Sequence, residues 1–176
     1  LDDDCDGETD EGCGTPVVDC TVADVLFLMD TTGSMAGEIA QLQALLRDTI
    51  IPGLDAEIAD VRFAVGRFDD FPVGGYGGRA DRPFELRQAI TSSVTATQTA
   101  VNGLAASGGG DGPESQVEAL YQAATGAGIG TWTSPASCPG GGVGYPCFRP
   151  GATPIILLIT DADFHNGPGG AYPYSG

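Results

Sequence analysis

Two short apolar runs, each closed by an aspartate, constrain this chain more than any other feature. Residues 22–29 end at Asp30, and residues 155–160 end at Asp161. Apolar runs this short, with little polar alternation, suit strands buried on both faces of a parallel sheet. Between them the periodicity changes. Met35, Ile39, Leu42, Leu46 and Ile50 recur at three-to-four spacing and predict a helix that Pro52-Gly53 should stop. Residues 60–68 read as a second strand, with Val61, Phe63 and Val65 on one face, and 84–91 as a short strand. Residues 93–104 read as a helix. Pro113 is expected to open another, with Val117, Leu120, Tyr121 and Ala124 sharing a face. Residues 107–112 and 126–150 are expected to be loops, the first flexible.

Strands alternating with helices imply an α/β fold, Rossmann-like and doubly wound, with a mainly parallel sheet and helices on both faces. In such sheets ligands bind beyond the carboxyl ends of the strands. Asp30, Asp70 and Asp161 follow three strand candidates, and Asp111 and Glu114 precede a helix. Carboxylates gathered at one sheet edge repel one another unless a cation neutralises them.

Composition narrows the partners. The formal net charge is −17, all seven basic residues are arginine, and 41% of residues are hydrophobic, enough for a core. A surface this acidic repels phosphate backbones and anionic lipid, so neither nucleic-acid binding nor docking on a membrane surface is expected, and membrane insertion is not expected either, for want of a long apolar run. No apolar run approaches the length of a membrane span. Carboxylates are instead the hard oxygen donors that Mg²⁺ and Ca²⁺ prefer. Of the five cysteines, Cys138 and Cys147 bracket a Gly/Pro-rich stretch and are disulfide candidates; Cys5, Cys13 and Cys20 crowd the N-terminus. Disulfides point to an oxidising compartment.

Asp30-Thr31-Thr32-Gly33-Ser34 reads D-x-T-x-S on a strand-to-helix turn. Its hydroxyls offer neutral oxygens, which leave a bound dication electrophilic. The same residues could merely cap a helix, and Asp111 and Glu114 could favour a helix N-terminus. Gly108-Gly109-Gly110 lacks the G-K-[ST] of a phosphate loop. No nucleophile elbow accompanies His165, the single histidine, so no catalytic residue and no enzyme activity are expected, and His165 reads as a loop or packing residue.

The D-x-T-x-S segment resembles the metal-ion-dependent adhesion site of the von Willebrand factor A domain. The likeness runs from about residue 22 to the end and is closest to the A-like domain of integrin β subunits. Asp111-Gly112-Pro113-Glu114 resembles that domain's D-x-P-E segment. Phe68-Asp69-Asp70-Phe71-Pro72 resembles its F-x-D-x-P turn, and the stretch from Thr160 to His165 its T-D-A-x-F-H. The resemblance implies an adhesion-site Mg²⁺ (or Mn²⁺) contacted by Thr32, Ser34 and Glu114 and held through water by Asp30 and Asp161. It implies an adjacent Ca²⁺ on Asp70, Asp111, the Pro113 carbonyl and Glu114. Gly109 stands where integrin β domains place an asparagine ligand, and Gly37-Glu38 where they place an acidic pair. Further strands and helices would be expected after Asp161, so the domain reads as incomplete at its C-terminus.

Residues 1–20 differ in kind. Asp2, Asp4, Asp6 and Asp10 follow the alternate spacing of a calcium loop with Gly7 at its turn, although Cys13 stands where a bidentate glutamate is usual. A solvated acidic leader is the alternative. The segment also resembles the cysteine-flanked "DDDCDG" metal-binding repeats of bacterial surface proteins. The expected organisation is therefore a leader over 1–20 and an A-type domain over 21–176. The expected function is divalent-cation-dependent adhesion to a protein ligand whose Asp or Glu completes the ion's coordination, at a cell surface or in the extracellular medium, in a bacterium. A calcium-stiffened structural module, or an accessory domain of a metal-inserting enzyme, are the alternatives.

Overall fold

The computed structural model describes residues 21–165. The leader, with its calcium-loop aspartates and Cys5, Cys13 and Cys20, lies outside the described residues.

Among the described residues, four strands form one sheet in the order β3-β2-β1-β4. β1 (Val22–Asp30) pairs in parallel with β2 (Asp60–Phe68) on one side and β4 (Thr153–Ile159) on the other. β3 (Glu85–Thr91) adds an antiparallel edge to β2. The sheet is thus α/β and mainly parallel, as the apolar runs predicted. β1 is the innermost parallel strand, and all its residues after Val22 are buried.

Strand alternation divides the core. Ala23, Val25, Phe27 and Met29 face one side with Val61, Phe63 and Val65. There they meet Ile39 and Leu42 of α1 (Ala36–Leu45), Ile51 of α2 (Ile51–Glu57) and Val101 of α3 (Val94–Asn102). Leu26 and Leu28 face the other side with Ala64 and Phe68, against Ala119 and Ala123 of α4 (Gln116–Thr125). Helices therefore cover both faces, and burying these side chains supplies the main drive to fold, roughly 1.5–3 kcal/mol for each large one.

Local expectations needed correction in four places. Pro52-Gly53 does not stop the first helix, because the chain passes through a π-helical turn at Leu46–Ile50 and resumes as α2 with Pro52 in its first turn. A first-turn proline needs no amide partner. Pro113 does not open α4 directly, since Glu114 is first used in a parallel bridge to Phe164, its amide donating to the Asp163 carbonyl. α4 buries Gln116, Ala119, Gln122 and Ala123, leaving Val117 and Tyr121 about half exposed. Gln122 explains that rotation: it is fully buried and its amide group exchanges hydrogen bonds with the backbone of Gly128.

The fourth is the triple-glycine loop, which is held on every side rather than flexible. Ser107 N donates to the Thr31 carbonyl, Gly109 N to Asp81 Oδ2 and Asp111 N to the Tyr76 carbonyl. Cys138 and Cys147 form a disulfide within the long loop that precedes β4.

Candidate metal centre

Parallel pairing explains why the acidic residues meet. In register, Asp30 lies opposite Phe68, and Met29 opposite Ile159. The residues just beyond the strands, Asp69-Asp70 and Thr160-Asp161, therefore emerge beside Asp30 at one edge. β1 is flanked by a strand on each side, so this edge is also where the chain's winding reverses.

Asp30 is fully buried. Its Oδ1 accepts from the Thr32 amide (2.8 Å) and hydroxyl (2.7 Å), and its Oδ2 from the Thr160 hydroxyl (2.7 Å). The Ser34 hydroxyl donates to Asp161 Oδ1 at 2.9 Å, across 127 residues of sequence. A hydroxyl has one proton and two lone pairs. With each proton turned to an aspartate, the lone pairs of Thr32 and Ser34 are left for a cation.

These hydroxyls line a cleft of ≈ 270 Å³ with Gly108, Gly109, Gly110, Asp111 and Glu114. Gly109 stands where glycine is favoured: its φ is +76°, and a Cβ there would stand 3.0 Å from Glu114 Oε1 and 3.3 Å from Thr32 Cβ. Burial, then the charges of Asp70, Asp30 and Asp111, push the Glu114 carboxyl up to about 9. Its Oε2 is buried without a hydrogen-bond partner.

Next to Glu114 lies a second cluster. Asp70 is fully buried; its Oδ1 accepts from the Phe71 amide at 2.7 Å, and its Oδ2 has no partner. Burial, against the pull of that amide and of His165, pushes Asp70 up to about 6. His165 Nε2 stands 3.1 Å from Asp70 Oδ1 and 3.6 Å from Asp111 Oδ1. One donor atom from each of Asp70, Asp111 and His165 lies within 4.8 Å of the others. Pro113 is half-buried on the turn between Asp111 and Glu114.

Asp30, Thr32, Ser34, Glu114 and Asp161, and separately Asp70, Asp111 and Glu114, are thus brought to one edge. Orphaned buried oxygens on Asp70 and Glu114 are what a site built for a cation would show, since buried polar atoms normally have partners. The donor chemistry also fits: hydroxyls and carboxylates around the cleft suit Mg²⁺.

Three contributors escaped the sequence reading. Thr160 was legible only through the register that sets it beside Asp30. Asp81, nearly buried, ties the loop at Gly78 and Gly109, but nothing in its Asp-Arg-Pro context marks it. His165 does pack, edge-on to Tyr76 at 4.7 Å, yet it also faces the acidic cluster.

The chain belongs to the von Willebrand factor A domain family, whose model matches residues 24–130. The match covers the D-x-T-x-S turn, Asp70 and the Asp111–Glu114 segment. Domains of this family serve in general as protein-interaction and adhesion modules, and often bind a divalent metal. No curated protein matches the chain. Among the described residues, no helix is long and apolar enough to cross a membrane.

Proposed function

We propose that this chain is a non-catalytic, divalent-cation-dependent adhesion module of the integrin β type, carried by a secreted or cell-surface protein of a bacterium. Thr32, Ser34 and Glu114 would contact a Mg²⁺ or Mn²⁺ ion directly, with Asp30 and Asp161 behind the hydroxyls. Ser34 and Asp161 are exposed while Asp30, Thr32 and Glu114 are buried. An ion held this way keeps one side toward solvent, where an Asp or Glu of a protein ligand can complete its coordination. A second ion on Asp70, Asp111, the Pro113 carbonyl and Glu114 would brace Glu114 from behind.

The observation that carries this reading is the hydroxyl geometry. Both hydroxyls donate to aspartates, and their lone pairs share one cleft with Glu114, whose Oε2 is buried without a hydrogen-bond partner. Burial and the neighbouring acids push the Glu114 carboxyl up to about 9, and a dication would supply the charge that favours its ionised form. The disulfide between Cys138 and Cys147 fits an oxidising location.

The test is calorimetric titration of Mg²⁺ into the chelator-stripped chain. One binding event is expected at the adhesion site, lost in Ser34→Ala. Equal Mg²⁺ binding by wild type and Ser34→Ala overturns the proposal. A purely structural role predicts instead that chelation lowers the melting temperature while Thr32→Ala leaves every binding property intact.

A further inference from the structure

We infer that the second ion position is a mixed nitrogen–oxygen site for a borderline transition dication of the Zn²⁺ class, with His165 as a ligand beside Asp70 and Asp111, rather than an all-oxygen Ca²⁺ site. The inference rests on the two-ion reading above and changes the chemistry of its second ion.

Geometry comes first. The His165 Nε2 distances to the two aspartates, 3.1 and 3.6 Å, bracket the edge of a tetrahedron around an ion held at about 2.0–2.1 Å, which is about 3.3–3.4 Å. The His165 side chain is only 9% exposed, and its Nε2 makes no aligned hydrogen bond despite that closeness. The other oxygen of the same carboxylate, Asp70 Oδ2, is buried without a hydrogen-bond partner. Three donors crowd together, and two of them leave buried atoms unsatisfied. That pattern is unfavourable for a protein alone and ordinary around a metal.

The ring is also held in place. Tyr76 stacks edge-on at 4.7 Å, Phe71 lies at 6.0 Å, and the His165 amide donates to the Glu114 carbonyl at 3.0 Å. Gly109 supplies no side-chain oxygen, and its positive φ and tight surroundings leave no room for one. The imidazole therefore adds the donor that the loop lacks. Imidazole nitrogen suits Zn²⁺ and its neighbours and is a poor ligand for Ca²⁺.

His165 is the single histidine of the chain, so imidazole ¹⁵N resonances of the full-length, ¹⁵N-labelled protein report on this position alone. Zn²⁺ bound anywhere else on the chain cannot imitate that signal. With the adhesion site filled by Mg²⁺, Zn²⁺ is titrated into excess. The His165 Nε2 resonance should move to a metal-bound position and stop responding to pH, whereas Ca²⁺ in large excess should leave it in place. His165→Asn should lower Zn²⁺ affinity at least about tenfold, while Mg²⁺ binding that depends on Ser34 persists. An imidazole signal indifferent to Zn²⁺ overturns the inference and marks His165 as an internal counter-charge for Asp70. So does a full Zn²⁺ response in Asp111→Ala. Neither result touches the adhesion site, whose own failure is read from Ser34→Ala.

Discussion

The two ends of β1 treat buried acid in opposite ways. At the amino end, Asp24 is fully buried, and Arg149 closes on it: the Arg149 amide and Nε donate to its two oxygens at 2.6 and 2.7 Å. The same guanidinium reaches Asp60 Oδ2 at 2.7 Å, so one arginine serves two strands. At the carboxyl end, the buried Asp30, Asp70 and Glu114 gather beside the exposed Asp111, and no arginine among the described residues forms an ion pair with them. The contrast is sharpest between neighbours. Asp69 is paired with Arg67 at 3.2 Å and with the Thr31 hydroxyl, while Asp70, one residue on, faces Glu114, Asp111 and His165. A chain with seven arginines and a net charge of −17 must place its cations sparingly. Here they pair with acids away from the candidate site, whose own acids have no arginine partner among the described residues. Uncompensated burial thus sets the candidate site apart more clearly than acidity does.

The largest expected effect breaks the compensated end. Arg149→Met leaves Asp24 buried and unpaired, which should cost about 3–5 kcal/mol of unfolding free energy by urea denaturation at neutral pH. Mg²⁺ affinity at the other end should stay unchanged. A loss under about 1 kcal/mol would mean the clamp is only decorative.

The uncompensated end should show in the pH dependence. Glu114 is raised from about 4.5 to about 9 and Asp70 from about 3.8 to about 6. Folded carboxyls with raised values hold protons that the unfolded chain releases. Their contribution to stability is complete below the unfolded values and lost as pH rises through the folded ones. In chelator, therefore, stability should fall by a few kcal/mol between about pH 5 and pH 9. Saturating Mg²⁺ should flatten that slope, as thermal melts across the range would show. A slope identical with and without Mg²⁺ would detach these acids from any ion.

Adjacent aspartates give a finer comparison. Asp69→Asn removes an acceptor from Arg67, Thr31 and the Arg82 amide and should destabilise by about 1–3 kcal/mol, with or without metal. Asp70→Asn relieves repulsion and should stabilise the metal-free chain by about 1 kcal/mol, while weakening the second ion. Parallel melts in chelator and in Zn²⁺ would show whether the two signs differ.

The fold was legible because its signals are local and strong. The apolar runs at β1 and β4 and the period-two pattern of β2 need no partner to be read. The D-x-T-x-S turn was legible for the same reason. Its companions, Asp70, Asp111 and Glu114, were identified through resemblance and through their places at element ends, and the parallel register then supplies a physical cause for their meeting. What stayed hidden depends on contacts between distant segments. The bridge between Glu114 and Phe164 delays α4 and delivers His165 to Asp70. Nothing in the sequence around either partner announces it. The π-turn before Pro52 hid the continuation of the first helix, because a proline reads as a stop unless the register slips around it.

The smallest expected effect tests how the site is shaped. The integrin β resemblance would put asparagine at the place of Gly109, so Gly109→Asn looks on paper like an improvement of the proposed second site. The geometry argues the reverse. Asparagine tolerates a φ of +76° better than other side chains, so the backbone penalty is modest, about 1 kcal/mol or less. Its Cβ, however, would press on Glu114 Oε1 and on Thr32, and both neighbours are fixed by burial, Thr32 also by its hydrogen bond to Asp30. The substitution should therefore lower Mg²⁺ affinity several-fold by displacing Glu114, while unfolding in chelator shifts by no more than about 1 kcal/mol. Calorimetry of the variant against wild type decides the matter. A gain in Mg²⁺ affinity would show that the cleft yields at Glu114, and that this edge is less rigidly set than the clamped end around Arg149.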